Sequence, residues 1–368
     1  MITLPDIKKM YEKAVISKGN QRRLVKALRK AKEGQTITIG FIGGAVTAGC
    51  NAIPRDENGY AALTYKWFNN TFGTGHVKLV NAGIGATDSY LGVHRVEKDL
   101  LGYNPDLVIV DFAIDDKRNL NKESYDSLLR KIYLWSNNPA IILLFLTKRD
   151  GKDNQSIQQE IGTYYDFPMI SYRNAILDEL EDGRISWSLV GSDGDNIHPE
   201  NTGHFIIAHL LTTYFEETMQ LIDHPEQLGS EELKSAYTND SYREGKVVNN
   251  TNCFPVESDM FDPIKMSYAP FSNGFRTTTG GRIVFDLYAK NIGVIYYGTQ
   301  DGLSGKFDVL VDGEYIVTLD ADFVTEWGSY ADYREVYRSN QEKVHRVEIR
   351  RSADSRQDYF TILGFAVS

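Results

Sequence analysis

Asp195 and His198 stand three residues apart in the segment Gly194-Asp195-Asn196-Ile197-His198-Pro199. In a loop closed by proline, an aspartate at this spacing can turn its carboxylate onto one ring nitrogen of the histidine. The imidazole is then held in one tautomer, with its other nitrogen free to act as a base. An Asp-x-x-His pair alone is usually a surface coincidence, and it gains weight from three further segments. Gly43-Gly44-Ala45-Val46-Thr47-Ala48-Gly49 and Asn81-Ala82-Gly83-Ile84-Gly85-Ala86-Thr87 are glycine-rich turns, and Asp115-Asp116 follows the apolar run from Asp106 to Phe112. The first turn is not a phosphate loop, because it lacks the Gly-Lys-Ser/Thr ending that such a loop requires.

These segments recur at one point of a repeating pattern. Gly34 ends a helical stretch, and the strand beginning at Thr36 runs into the first glycine turn. Further apolar strands are predicted over His76 to Asn81, Asp106 to Phe112, Ala140 to Leu146 and Phe167 to Ser171. Helical periodicity lies between and after them, at Tyr60 to Asn70, Leu91 to Leu101, Lys122 to Trp135, Gln155 to Tyr165, Tyr172 to Glu181 and Thr202 to Leu221. Strands that are apolar throughout and alternate with amphipathic helices imply a parallel sheet covered on both faces. Ligands of such sheets bind at the carboxyl ends of the strands, which is where the glycine turns and Asp115 fall.

The rhythm changes after about His224. Short runs of period two follow, at Arg282 to Tyr288, Ile292 to Tyr297, Phe307 to Val311, Tyr315 to Leu319, Val344 to Arg350 and Phe360 to Val367. Asp301-Gly302, Asp312-Gly313 and Gly280-Gly281 punctuate them, so an antiparallel β-sandwich is expected. A chain of 368 residues exceeds the size at which one core keeps growing. The domains are read as 1–225 and 250–368, joined by a polar connecting segment over 226–249. The stretch from Asp320 to Tyr337 has no clear strand periodicity and is read as an exposed loop bearing Trp327, Tyr330, Tyr333 and Tyr337.

Composition narrows the partners. A hydrophobic content of 42% and a charged content of 24% supply material for two cores and argue against disorder. No apolar stretch approaches the roughly twenty residues that cross a bilayer, so no membrane partner is expected. The net charge of −10 disfavours nucleic acid. The basic cluster from Lys8 to Lys32 has the spacing of a solvated helix face. Cys50 and Cys253 lie far apart, which fits no disulfide framework and suits a reducing compartment with two inert thiols. With no recognisable leader, a cytoplasmic location is expected. No clustered His/Cys set implies a metal, no other cofactor is called for, and His94, His204 and His209 are read as structural.

Taken in order, the four segments resemble the SGNH/GDSL hydrolase superfamily over roughly Gly34 to Leu221. Members carry blocks like Gly-Gly-Ser-Ile-Thr-Ala-Gly, Asn-Ala-Gly-Ile-Gly-Gly-Thr, Phe-Ala-Val-Asn-Asp and Asp-x-x-His-Pro. The resemblance implies a three-layer α/β/α fold in which His198 is the general base and Asp195 orients it. It implies an oxyanion hole formed by the backbone amides of Ala45 and Ala86 and by the side chain at Asp115. Two positions depart from the family. Ala45 occupies the nucleophile position and has no hydroxyl. Asp115 stands where the family has Asn, and an ionised carboxylate there would repel an oxyanion unless a raised pKa kept it protonated. Either an esterase with its serine exchanged or a natural pseudoenzyme fits Ala45.

An SGNH domain followed by a jelly-roll β-sandwich resembles family 17 carbohydrate esterases, which deacetylate mannan-derived oligosaccharides inside bacterial cells. That resemblance implies carbohydrate O-acetyl esterase activity on acetylated oligosaccharides and a β domain like a carbohydrate-binding module. Gly44, Trp327 and Tyr330 are the candidate substrate contacts, with aromatic faces stacking on sugar rings. A homo-oligomer remains open.

Overall fold

The structure, a computed structural model, describes residues 7–268, 271–324 and 328–368. The chain divides into two units, the first running to Arg243 and the second from Glu244 to Ser368. Strands of the first unit are β1 Val15–Ser17, β2 Ile37–Gly43, β3 Val77–Gly83, β4 Leu107–Asp111, β5 Ala140–Phe145 and β6 Met169–Ser171. They form one sheet in the order β1-β6-β5-β4-β2-β3, parallel from β2 to β6, with β1 antiparallel on the edge.

β2, β4 and β5 are buried at every residue, as unbroken apolar runs require when helices cover both faces. On one face Ile39, Phe41, Ile109 and Ile142 join a core with Leu24 and Leu28 of helix Arg22–Lys32, Phe68 of helix Tyr60–Phe72 and Phe215 of helix Asn201–Met219. The strand residues of opposite parity, among them Val108, Val110, Leu143 and Phe145, are buried as well. Helices Ser89–Asp99, Asn121–Tyr133 and Gln155–Tyr165 belong to that side, and Gly162 of the last lies against Leu143.

The basic N-terminal stretch is not a single helix. Helix Ile7–Ala14 and helix Arg22–Lys32 are separated by β1, a strand too short to leave a periodic signal. The second helix buries Leu24, Val25, Ala27, Leu28 and Ala31, and its cations reach partners on the surface, such as Lys30 to Asp106 at 2.7 Å. The polar stretch after His224 lies along this unit. Arg22 Nε donates to the Gly229 carbonyl at 3.0 Å, Arg130 to that of Lys234 at 2.7 Å, and Asp126 accepts from the Thr238 amide at 2.6 Å.

The strands of the second unit pair antiparallel. Its strands are β7 Lys246–Val248, β8 Glu257–Asp259, β9 Asp262–Lys265, β10 Asn273–Thr277, β11 Arg282–Gly298, β12 Lys306–Val311, β13 Glu314–Asp320, β14 Tyr330–Arg351 and β15 Phe360–Val367. Phe285, Val294, Phe307, Val347, Ile349 and Phe360 share its core. The two runs expected at Arg282 to Tyr288 and Ile292 to Tyr297 are one 17-residue strand whose register shifts between Ala289 and Asn291. Such a bulge flips the apolar parity, so one strand reads as two. The loop expected up to Tyr337 is strand from Tyr330 onward. Ala331 and Tyr333 are buried in it, and the intervening charges at Asp332 and Arg334 conceal the alternation.

At the carboxyl end of the parallel sheet the buried Arg95 guanidinium ties two strand ends together. It donates to the carbonyl of Ala82 in β3 at 2.7 Å and to that of Gly43 in β2 at 3.1 Å, and it pairs with Asp99 at 3.3 Å. Removing one partner of such a buried pair leaves carbonyls and a carboxylate unsatisfied. Arg95→Met is therefore expected to lower the unfolding free energy of the first unit by about 3 kcal/mol in urea titrations followed by tryptophan fluorescence. A loss below about 1 kcal/mol would show that the guanidinium is not a structural tie.

Candidate functional site

β2 ends at Gly43, and the chain then folds into a helical turn, with the Ala48 amide donating to Gly44 O at 3.1 Å and the Cys50 amide to Ala45 O at 3.0 Å. Thr47 anchors this turn. Its hydroxyl donates to Asp111 Oδ2 at 2.9 Å and lies 2.8 Å from the Tyr60 hydroxyl, while its carbonyl accepts from Asn81 Nδ2 at 2.8 Å. The Ile84 amide donates to Gly43 O at 3.0 Å, so the second glycine turn is fastened to the first. A Cβ placed on Gly85 would lie 3.7 Å from that of Ala45, and Ala86, next in line, has a left-handed φ of 60°. A Cβ on Gly44 would lie 2.2 Å from Asp115 Oδ2, so glycine is required where the third segment meets the first.

The fourth segment reaches the same sheet end through its aspartate. Asp195 Oδ1 accepts from the Ile197 amide at 2.8 Å and the His198 amide at 3.0 Å, and Oδ2 lies 2.7 Å from His198 Nδ1. Asn51, just past the first turn, donates to the same Oδ2 at 3.2 Å, and Trp187 Nε1 donates to the Asp195 carbonyl at 2.8 Å. His204 completes the clamp, with Nε2 to Cys50 O at 2.9 Å and Nδ1 accepting from the Tyr60 amide at 3.2 Å. A carboxylate on Nδ1 leaves Nε2 of His198 for proton transfer.

Electrostatics divides the carboxyl groups. Burial works against the charge of Asp195, but the amides of His198 and Ile197 and the imidazole hold its pKa below the ordinary carboxylate range. Burial likewise disfavours the His198 cation, yet the Cys50 thiol and Asp195 outweigh it and carry the imidazole up to about 9. Asp115 is the opposite case. Its Oδ2 is buried without a hydrogen-bond partner, and burial, with Asp88 adding to it, raises its pKa to about 7 against the pull of Lys117, His198 and Lys148. Its neighbour Asp116 is structural: it accepts from the Ser89 amide and from Gln158 Nε2, both at 2.8 Å.

Ala45, Ala86, Asp115 and Gly44 thus converge, and Asn51 links the first turn to the Asp195–His198 pair. Tyr330 belongs to the second unit, at the start of β14, half-buried against Phe323 at a ring separation of 4.6 Å. Trp327 lies outside the described residues. Sequence reasoning missed Cys50 and Asn51. Cys50, expected to be inert, is half-exposed, and His198 draws its thiol below the ordinary range against the effect of burial. The contacts responsible join residues about 150 positions apart and leave no local signal. Among the described residues no group of three or more His, Cys, Asp or Glu could hold a metal ion, and no helix is long and apolar enough to cross a membrane.

No family model and no curated protein matches the chain. Solved structures do. A crystal structure of a two-domain esterase active on acetylated mannans is 28% identical, with a TM-score of 0.90 over 97% of this chain and 98% of that one. A second, of such an esterase co-crystallised with mannopentaose, is 27% identical, with a TM-score of 0.88 over the same shares. The chain therefore has the fold and domain order of a two-domain carbohydrate esterase from end to end, in keeping with the SGNH/GDSL resemblance of its segments.

The His198 environment can be measured directly. An NMR titration of the imidazole is expected to show a midpoint near 9. Asp195→Asn removes a partner of the cation, so the midpoint falls toward the ordinary value of about 6.5. An unchanged midpoint would mean that the carboxylate does not hold the ring.

Proposed function

We propose that this chain is a carbohydrate O-acetyl esterase in design, shaped to remove acetyl groups from acetylated oligosaccharides such as those derived from mannan, with the serine position occupied by Ala45. By kinship it is a carboxylic ester hydrolase. The observation that carries the reading is the Asp195–His198 pair, bonded at 2.7 Å, joined to the sheet end where both glycine turns and Asp115 meet. In this proposal the imidazole moves the proton, Asp195 fixes its tautomer, and the amides of Ala45 and Ala86 receive the oxyanion. Asp115 supplies a third donor while it is protonated. Gly44, whose missing side chain admits the Asp115 carboxyl, contacts the substrate through its backbone, and Trp327 and Tyr330 stack on sugar rings. Cys50 and Cys253, unpaired in the structure, suit a cytoplasmic home.

A second reading is a pseudoenzyme that binds acetylated oligosaccharides through the same surface, favoured by the methyl group at position 45. An aryl acetate assay separates the two. In a Cys50→Ala background, which keeps the thiol out of the chemistry, Ala45→Ser is expected to raise turnover of 4-nitrophenyl acetate by roughly a thousandfold or more. No gain in a folded Ala45→Ser protein would leave the binding reading in place. Trp327→Ala in the same serine-bearing protein should weaken activity on acetylated mannooligosaccharides and spare the aryl acetate.

Asp115 adds a pH signature. Its carboxyl, with a pKa of about 7, can donate below that pH and is a repelling carboxylate above it. The serine-bearing protein should therefore lose an oxyanion donor as pH rises through this range. Asp115→Asn, a neutral donor at every pH, is expected to remove that loss and to be faster by on the order of a hundredfold at about pH 9. Equal pH profiles for the two proteins would exclude Asp115 from the oxyanion site.

A further inference from the structure

We propose that Cys50 is a nucleophile of this site: its thiol, set against the His198 imidazole that Asp195 orients, takes the acyl group of the ester in place of the hydroxyl missing at position 45. The proposal rests on the acyl-transfer reading above and names the residue that can carry it in this chain. Three contacts place the sulfur. The Cys50 amide donates to Ala45 O at 3.0 Å, which puts its side chain one helical turn beyond the nucleophile position. The Cys50 carbonyl is held by His204 Nε2 at 2.9 Å. The thiol donates to Asn51 Oδ1 at 3.8 Å, Asn51 Nδ2 donates to Asp195 Oδ2 at 3.2 Å, and the same oxygen binds His198 Nδ1 at 2.7 Å. Sulfur, amide, carboxylate and imidazole thus form one hydrogen-bonded array, and the thiol stays half-exposed.

The surroundings favour a thiolate. His198, with Arg55 assisting, lowers the Cys50 pKa, overcoming burial and the nearby Asp195 charge. Cys253 is equally half-exposed but has no such partner, and burial pushes it up to about 11. The thiolate is the reactive form, so this chain contains one activated and one suppressed cysteine.

The step balances without a further reagent. Thiolate Sγ attacks the acyl carbon, the C–O bond to the sugar breaks, and the His198 imidazolium gives its Nε2 proton to the departing alkoxide. The product is an acetyl thioester on Cys50 and a neutral imidazole. His198 then takes a proton from water, whose oxygen attacks the thioester carbon. Acetic acid leaves, losing its proton to solvent, and the thiolate–imidazolium pair is restored.

The test maps adducts by peptide mass spectrometry after the folded protein has met 4-nitrophenyl acetate or iodoacetamide at neutral pH. The expected result is a hydroxylamine-labile acetyl group on Cys50 and alkylation roughly tenfold or more faster at Cys50 than at Cys253. Both should fall to the Cys253 level in His198→Ala, with its fold verified by circular dichroism. Equal rates at the two cysteines, or a Cys50 adduct indifferent to His198→Ala, would overturn the proposal. Its failure is distinct from that of the esterase reading. Deacetylation by the Ala45→Ser, Cys50→Ala protein with no thiol adduct in the parent keeps the esterase and removes Cys50 from it. Acetyl transfer to Cys50 with no gain from Ala45→Ser keeps the thiol and removes the serine-type esterase.

Discussion

The Asp195 carboxylate accepts four hydrogen bonds, from the amides of Ile197 and His198, from His198 Nδ1 and from Asn51 Nδ2. Two of them shape the loop, one sets the tautomer of the base, and one ties the loop to the turn after β2. A single charged group therefore builds the local backbone, orients the imidazole and docks one segment on another. Charge-assisted bonds of this kind are stronger than neutral ones and lose most when one acceptor serves several donors. The position of His198 relative to the first turn depends on this group, as does the array that contains Cys50.

Around it, carboxyl groups of the same chemistry behave differently because their surroundings differ. Asp195 has donors on both oxygens and stays ionised. Asp116 is satisfied within the fold by Ser89 and Gln158. Asp115 has an oxygen with no partner and a pKa near 7. Pairs of groups pushed apart in this way identify acid and base roles in a site. Here the same logic reaches the histidine. Cys50 and Asp195 together favour the imidazolium, carrying its pKa up to about 9; in the proposed thiol chemistry that cation is the proton donor to the leaving group.

Much of this was legible in the residues themselves. Unbroken apolar runs at Asp106 to Phe112 and Ala140 to Leu146 announced interior parallel strands, and the glycine turns marked the carboxyl ends of two others, β2 and β3. Elements that depend on distant partners were not legible. β1 is three residues long and exists because β6 offers it an edge. β11 hides a bulge, and β14 carries charges through its first turns of alternation, so both defeat a period-two reading. Cys50 looked inert for the same reason: no window of local sequence contains both it and His198.

Asp115 bears on what kind of protein this is. A buried carboxyl oxygen without a hydrogen-bond partner costs about 1–3 kcal/mol of stability, and folded proteins contain few of them. Asp111 Oδ1 is likewise buried without a partner, and burial raises the pKa of both carboxyl groups. The two differ in surroundings: Asp111 holds the Thr47 hydroxyl through its other oxygen, whereas Asp115 lies against Gly44 at the turn after β2. In the proposed acyl transfer a protonated Asp115 would gain its missing partner when an oxyanion develops beside that turn, a role that the strand-end carboxyl of Asp111, already engaged by Thr47, does not share.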